Sequence, residues 1–194
     1  MDKLSIADLW KLEDYAEQRP AFRRQVLAHK RARTLHLGAH FTLLFEDRLT
    51  VQYQIQEMLR IERIFERDAI QDELDAYNPL IPDGRNWKAT LLIEYEDVAL
   101  RQQKLAELRG VEATIWTQIG DLPRLFAIAD EDLERANETK TSAVHFLRFE
   151  LSATAVRLLH EGLELRFGIT HPQLSVEQLT ADATRRALLA DLAP

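Results

Sequence analysis

Apolar positions recur every three or four residues through most of the first 77 positions, and every second residue over much of 88–169. The first spacing marks one face of an α-helix and the second one face of a β-strand. Ser5 followed by Asp8 approximates a capping box, with Ile6, Leu9, Trp10 and Leu12 behind it as the first helix. Pro20 is expected to end that helix and open a second, from Ala21 to Arg31, because proline suits a first helical turn. RTLHLGAHFTLLFED reads as a hairpin turning near Gly38. Asp47 is the expected N-cap of one long helix through LTVQYQIQEMLRIERIFERDAIQDEL. Pro79 and Pro82-Asp83-Gly84 stop it.

In the second half, Lys88–Tyr95 is an expected strand and Asp97–Arg109 a helix closed by Gly110. EATIWTQI and PRLFAIAD follow as strands joined around Gly120-Asp121, then a loop or short helix. Ser142–Leu151 is the strongest strand of the chain. Ser152 caps a helix ending at Gly162, LELRFGI returns as a strand, and Ser175 with Gln178 forms the box of a C-terminal helix over 175–192. The expected fold class is α+β. N-terminal helices, one of them long, precede a mostly antiparallel, ferredoxin-like (split βαβ) sheet with an extra strand. A chain of 194 residues, 46% hydrophobic, suits a single domain 1–194. It divides into a mainly helical layer 1–77, a sheet with crossover helices 88–169, and the C-terminal helix.

Charge sharpens the picture. The formal net charge is −7, yet no acidic residue stands between Glu17 and Glu46, where Arg19, Arg23, Arg24, Lys30, Arg31 and Arg33 lie. Arg23, Arg24, Lys30 and Arg31 are therefore candidates for docking an acidic partner or a phosphate-bearing ligand. No aromatics interleave with them for base stacking, which disfavours nucleic acid. The absence of cysteine excludes a disulfide, a thiolate nucleophile, and any cysteine-ligated iron–sulfur cluster or zinc site of the chain's own. The opening MDKLSIADLW lacks a signal-peptide pattern and no apolar run reaches a membrane-spanning length, so a cytoplasmic protein without a membrane span is expected.

Two ionisable residues fall on apolar faces. In the long helix, Val51, Ile55, Met58, Leu59 and Phe65 form a stripe with Glu62 in its middle. In Ser142–Leu151, alternation places His145 with Ala143, Leu147, Phe149 and Leu151. A buried carboxylate needs a cation, a metal or several donors. Glu62 and His145 are thus the catalytic candidates, and with His29 the metal candidates. Ordinary core partners are the competing explanation. Glu57, Arg60, Asn78, Trp87, Arg148 and Glu150 are the ligand-binding candidates, for a pocket between the long helix and the sheet. Arg148 and Glu150 can also pair with one another. No H-E-x-x-H, glycine-rich phosphate loop or G-x-S-x-G elbow is present. LELRFGI reads as an edge strand through which a homo-oligomer could form, though Glu164 and Arg166 discourage such pairing.

The segments FEDRLTVQYQIQEMLRIERI, ELDAYNPLIPDGRNWKATLLIEY and AIADEDLERANETKTSAVHFLRFEL together resemble the bacterial family known as domain of unknown function 3501, over nearly the whole chain. The resemblance assigns no catalytic residue. Genes of that family often stand beside those for rubrerythrin-like di-iron proteins and iron–sulfur oxidoreductases. The resemblance therefore implies a redox protein partner in an oxidative-stress or electron-transfer system. The resulting expectation is an accessory or binding protein. The alternative is a small-ligand or metal-binding enzyme.

Overall fold

The computed structural model of the chain describes residues 2–129 and 141–193. The helical layer consists of α1 (Leu12–Arg31), α2 (Arg48–Glu62) and α3 (Arg67–Tyr77). Between α1 and α2 lies the hairpin of β1 (Thr34–Leu37) and β2 (Phe41–Glu46). There follow β3 (Asn86–Ile93), α4 (Val98–Glu107), β4 (Ile115–Ile119), β5 (Leu125–Phe126) and β6 (Ile128–Ala129). The chain closes with β7 (Val144–Glu150), α5 (Ala153–His160), β8 (Leu165–His171), β9 (Leu174–Leu179) and α6 (Asp182–Leu189).

The strands form two sheets, ordered β1-β2-β3-β7-β6 and β5-β4-β8-β9. Every pairing between described strands is antiparallel. β5 and β6 flank Ala127, whose N–H donates to Ile115 O at 2.8 Å, so a single extended run passes from one sheet to the other. Such a sheet-switching strand closes one side of a packed pair of sheets. The faces turned toward each other supply the core. Phe45, Trp87, Phe149 and Phe167 meet with centroids 5.1–6.5 Å apart, and Trp87 Nε1 donates to Leu188 O at 2.9 Å. A second apolar cluster, of Val51, Ile55, Leu59, Leu74 and Ile81 with Leu4, joins α2 and α3 to the N-terminal segment.

Several expectations need correction. Pro20 lies inside α1 rather than between two helices. The long helix breaks at Arg63, which takes the left-handed conformation (φ 56°) as C-cap of α2. Side chains beyond it leave the stripe: Val51, Ile55 and Leu59 are buried, whereas Phe65 is 63% exposed. The strands divide between two antiparallel sheets, where a single mostly antiparallel sheet with an extra strand was expected. Leu174–Leu179, expected as helix, is β9. Its burial pattern is nearly all exposed, as for an outermost strand, and the helix starts only at Asp182. LELRFGI is consequently flanked by β4 and β9 and is not an edge. The loop or short helix expected after Ala129 lies outside the described residues.

Candidate functional site

α1 and α2 run antiparallel along a polar seam. The Trp10 N–H donates to Gln56 Oε1 (2.6 Å), and the buried Tyr15 hydroxyl to Glu57 Oε1 (2.6 Å). Arg19 grips the same carboxylate with Nε on Oε1 (2.7 Å) and a terminal nitrogen on Oε2 (2.8 Å), while Arg60 adds a bond at 3.2 Å. The two-pronged Arg19 contact holds the Glu57 carboxyl down to about 2 against the opposing effect of burial. Burial, with the Glu57 bond second, pushes the Tyr15 phenol upward. Glu57 is therefore a fixed anion with its oxygens occupied, and it serves as a clasp between helices.

The far end of α1 is held by a second cluster. Arg33 is buried with each of its nitrogens engaged: Nε on Phe45 O (3.0 Å), one terminal nitrogen on Ala187 O (3.3 Å), and the other on Glu46 O (3.2 Å) and the Asp191 carboxylate. It also lies 3.4 Å from Asp47 Oδ2. Asp47 is the expected N-cap, accepting from Thr50 N at 2.9 Å. His29 Nε2 donates to its other contact atom, Oδ2. Burial pushes the Asp191 carboxyl up to about 6, Arg33 opposing and Asp47 adding to the rise.

With both ends pinned, α1 presents its outer surface to solvent. Arg23, Arg24 and Arg31 are exposed, and among the described residues their side chains make no hydrogen bond or ion pair. Lys30 is half-buried with its ammonium 6.0 Å from the Tyr53 ring centroid. Leu27, one turn from Arg23 and Arg31, is 45% exposed. Sequence reasoning found the cations and missed the leucine, whose signal was its displacement from the buried stripe of Tyr15, Phe22 and Val26.

The other candidates scatter. Glu62 is the exposed last residue of α2. His145 is wholly buried, with Nε2 2.8 Å from Thr141 Oγ1 and 3.0 Å from Ser142 O. Thr141 donates in turn to Glu112 Oε2 at 2.9 Å, an assembly that sequence spacing did not reveal. The Glu112 carboxylate lies on the same side of the ring as the hydroxyl, its Oε2 3.8 Å from His145 Nε2, whereas in a nucleophilic triad acid and hydroxyl meet opposite ring nitrogens. Asn78 clamps the N-terminal segment through both Leu4 N (2.8 Å) and Leu4 O (2.9 Å). Trp87 is in the core. Arg148 and Glu150 pair, and Glu150 also accepts from Asn86 Nδ2 at 2.9 Å. His29, Glu62 and His145 thus occupy three separate surroundings. Among the described residues no group of three His, Cys, Asp or Glu could hold a metal ion.

A cavity of about 900 Å³ opens beside His40, Tyr95 and the start of α4. His40 stacks on Tyr95 at 4.0 Å there, but the nearby polar groups are committed. Glu94 accepts from Thr42, Asp97 caps Leu100 N, and Arg101 donates to Tyr95 O. Among the described residues no helix is long and apolar enough to cross a membrane. The outer surface of α1 is a place where charge, exposure and, among the described residues, lack of internal partners coincide.

The sequence matches the family model described as "Protein of unknown function (DUF3501)" over residues 3–192. No curated protein matches. Among solved structures, the chain is similar to a crystal structure of a novel protein of unknown function from Burkholderia pseudomallei K96243. The identity is 46%, with 99% of this chain and 100% of that chain covered and a TM-score of 0.94.

Proposed function

We propose, for a chain that belongs to the DUF3501 family of proteins of unknown function, an accessory role in which the outer surface of α1 docks an acidic redox partner. The observation that carries this reading is the set of cations Arg23, Arg24 and Arg31, unengaged among the described residues, around the exposed Leu27 on a protein of net charge −7. On a protein with such an acidic remainder, a basic patch steers and orients the encounter with an acidic partner. Unpaired arginines cost the free protein nothing in broken ion pairs when a carboxylate-bearing surface arrives. They also form two-pronged contacts that lysines do not. Partners of the class implied by the family resemblance are an iron–sulfur or di-iron electron carrier. The chain would then contribute placement of such a carrier, not electrons.

The test is binding to such a protein, a rubrerythrin-like di-iron carrier or an iron–sulfur oxidoreductase, measured across ionic strength. Wild-type affinity should fall steeply with salt, and R23E/R24E/R31E should lose at least about tenfold at low salt. Equal binding by the wild type and the triple variant refutes the reading.

A further inference from the structure

We infer that the buried cluster of His29, Asp47, Arg33 and Asp191 is a proton-operated latch on the C-terminal segment. Holding one exchangeable proton, it keeps residues 187–193 closed. Once that proton is lost, the segment opens locally while the rest of the fold stays intact. The latch stands apart from the docking reading above.

The four side chains touch in series. His29, in the last turn of α1, has Nε2 2.5 Å from Asp47 Oδ2 at the head of α2. That same oxygen is 3.4 Å from one terminal nitrogen of Arg33, whose other terminal nitrogen binds the Asp191 carboxylate just beyond α6. Arg33 and Asp191 are each 3% exposed, against 35% for the His29 side chain, so the series has one wet end and one dry end.

The charges of this set do not balance by themselves. Two ionised carboxylates face one guanidinium, and a neutral imidazole leaves the sum at −1. One further proton, on His29 or on Asp191, brings it to zero. A net charge in a dry site is costly, and moving one charged member into water relieves it. Among the described residues the neighbouring cations are engaged or turned away. Lys30 lies over Tyr53, Arg48 pairs with Asp8, Arg185 donates to the Leu159 and Leu163 carbonyls, and Arg186 is exposed. Lys88 points to the opposite face of β3 from Trp87, which meets α6. The neighbouring acids are likewise occupied or solvated: Glu46 accepts from Thr50 and Thr90, Asp83 accepts from Arg85 N, and Asp182 is exposed.

Asp191 is the member that transmits charge to structure, because it sits on the element with the fewest fastenings. The short helix α6 (Asp182–Leu189) has no side-chain cap at its N-terminus. Outside the cluster, residues 187–193 are held by Leu188 O on Trp87, by Ala193 N on Gly84 O, and by burial of Leu188 and Leu192. Burial pushes the Asp191 carboxyl up to about 6, Arg33 and His29 opposing and Asp47 adding to the rise. The closed segment therefore prefers a protonated Asp191, and an open segment in water, where the ordinary value is about 3.9, prefers an ionised one. Closure is tightest below that ordinary value, weakens as pH rises, and is weakest above 6.

Amide hydrogen exchange, read residue by residue and corrected for intrinsic rates, tests the latch. Opening of residues 188–193 should become about tenfold more frequent between about pH 5 and about pH 8, while β3 and β7 keep their protection. Asp191→Asn carries no charge at either pH and should show no such rise. His29→Gln removes the imidazolium that offsets an ionised Asp191, so the rise should level off at a higher pH than in the wild type. Asparagine keeps the shape of the carboxylate and His29 is half-exposed, so both variants fold. No rise in the wild type, or an equal rise in Asp191→Asn, overturns the latch. An unshifted profile in His29→Gln reduces it to a lone buried acid and overturns the four-membered cluster. Loss of protection in β3 in step with residues 188–193 marks unfolding of the whole chain and overturns local opening.

Discussion

Arg33 shows how one side chain can unite distant parts of the chain. Its guanidinium meets the hairpin at Phe45 and Glu46, the first turn of α2 at Asp47, and α6 at Ala187 and Asp191. Replacing it with methionine strips the buried Asp191 of its cation and leaves Asp47 only His29, and should lower the unfolding free energy by about 3–5 kcal/mol in urea titrations. Asp191→Asn keeps the shape and should cost only about 1 kcal/mol at pH 7. The pH dependence has a definite sign. Asp191 titrates at about 6 in the folded chain, above its unfolded value near about 3.9, so folding favours the protonated form. That contribution is complete below about 4 and vanishes as pH rises through 6. Wild-type stability relative to Asp191→Asn should therefore decline between those limits, and parallel curves would show that this carboxyl does not titrate there. Glu57 acts in the opposite sense: held at about 2, it stabilises above its ordinary range and ceases to do so as the solution becomes more acid. Sequence alone gave the inward aim of His145 but misplaced Glu62. A two-residue alternation survives in a short strand, while a helical stripe is only as long as the helix. Arg33, the most connected cation, looked like one more basic residue because all its partners are remote in sequence.

Among the elements, caps and turns were legible and interruptions were not. Asp47 and Ser152 cap α2 and α5 by accepting from Thr50 N and Ala155 N, since short polar side chains compete well for free helical N–H groups. The hairpin at Gly38 formed as expected, the glycine at φ 69°. Pro20 misled because its missing N–H normally ends a helix. Here Tyr15 and Arg19 on one side, and Phe22 and Val26 on the other, hold α1 together against α2 and the residues around it. Arg63 misled in the opposite way, since nothing in its residue type announces a left-handed cap. The strand β8 illustrates a tighter local constraint. Gly168 lies directly across from Trp116, and a Cβ there would fall 2.2 Å from Trp116 Cζ2 and 2.6 Å from Val176 O. The indole fills that space beneath Arg124, whose guanidinium is 3.8 Å from the ring centroid. Gly168→Ala should destabilise by about 3 kcal/mol and shift Trp116 fluorescence toward a wetter environment. A thermal midpoint equal to that of the wild type would show that the strand yields without cost.

At the scale of the molecule, the mixed α and β composition was readable from the change of period, but the division into two sheets was not. That division depends on Ala127, where the chain steps from one sheet to the other, and on β9, whose largely exposed face resembled a helix start more than a strand. Composition and spacing fix the class of a fold more readily than its pairing order, because pairing is decided by contacts between remote segments. The proposed docking surface followed the same division: its cations were visible as a block without acids, and the exposure of Leu27 became visible only in three dimensions. One feature of the C-terminal segment reaches beyond the finished structure. Ala187, Leu188, Asp191 and Ala193 bind Arg33, Trp87 and Gly84, all from the first half of the chain. During synthesis those earlier residues emerge from the ribosome long before the groups that will satisfy them. Residues 187–193 act as the closing stitch, so the nascent chain cannot complete its core until they too have emerged.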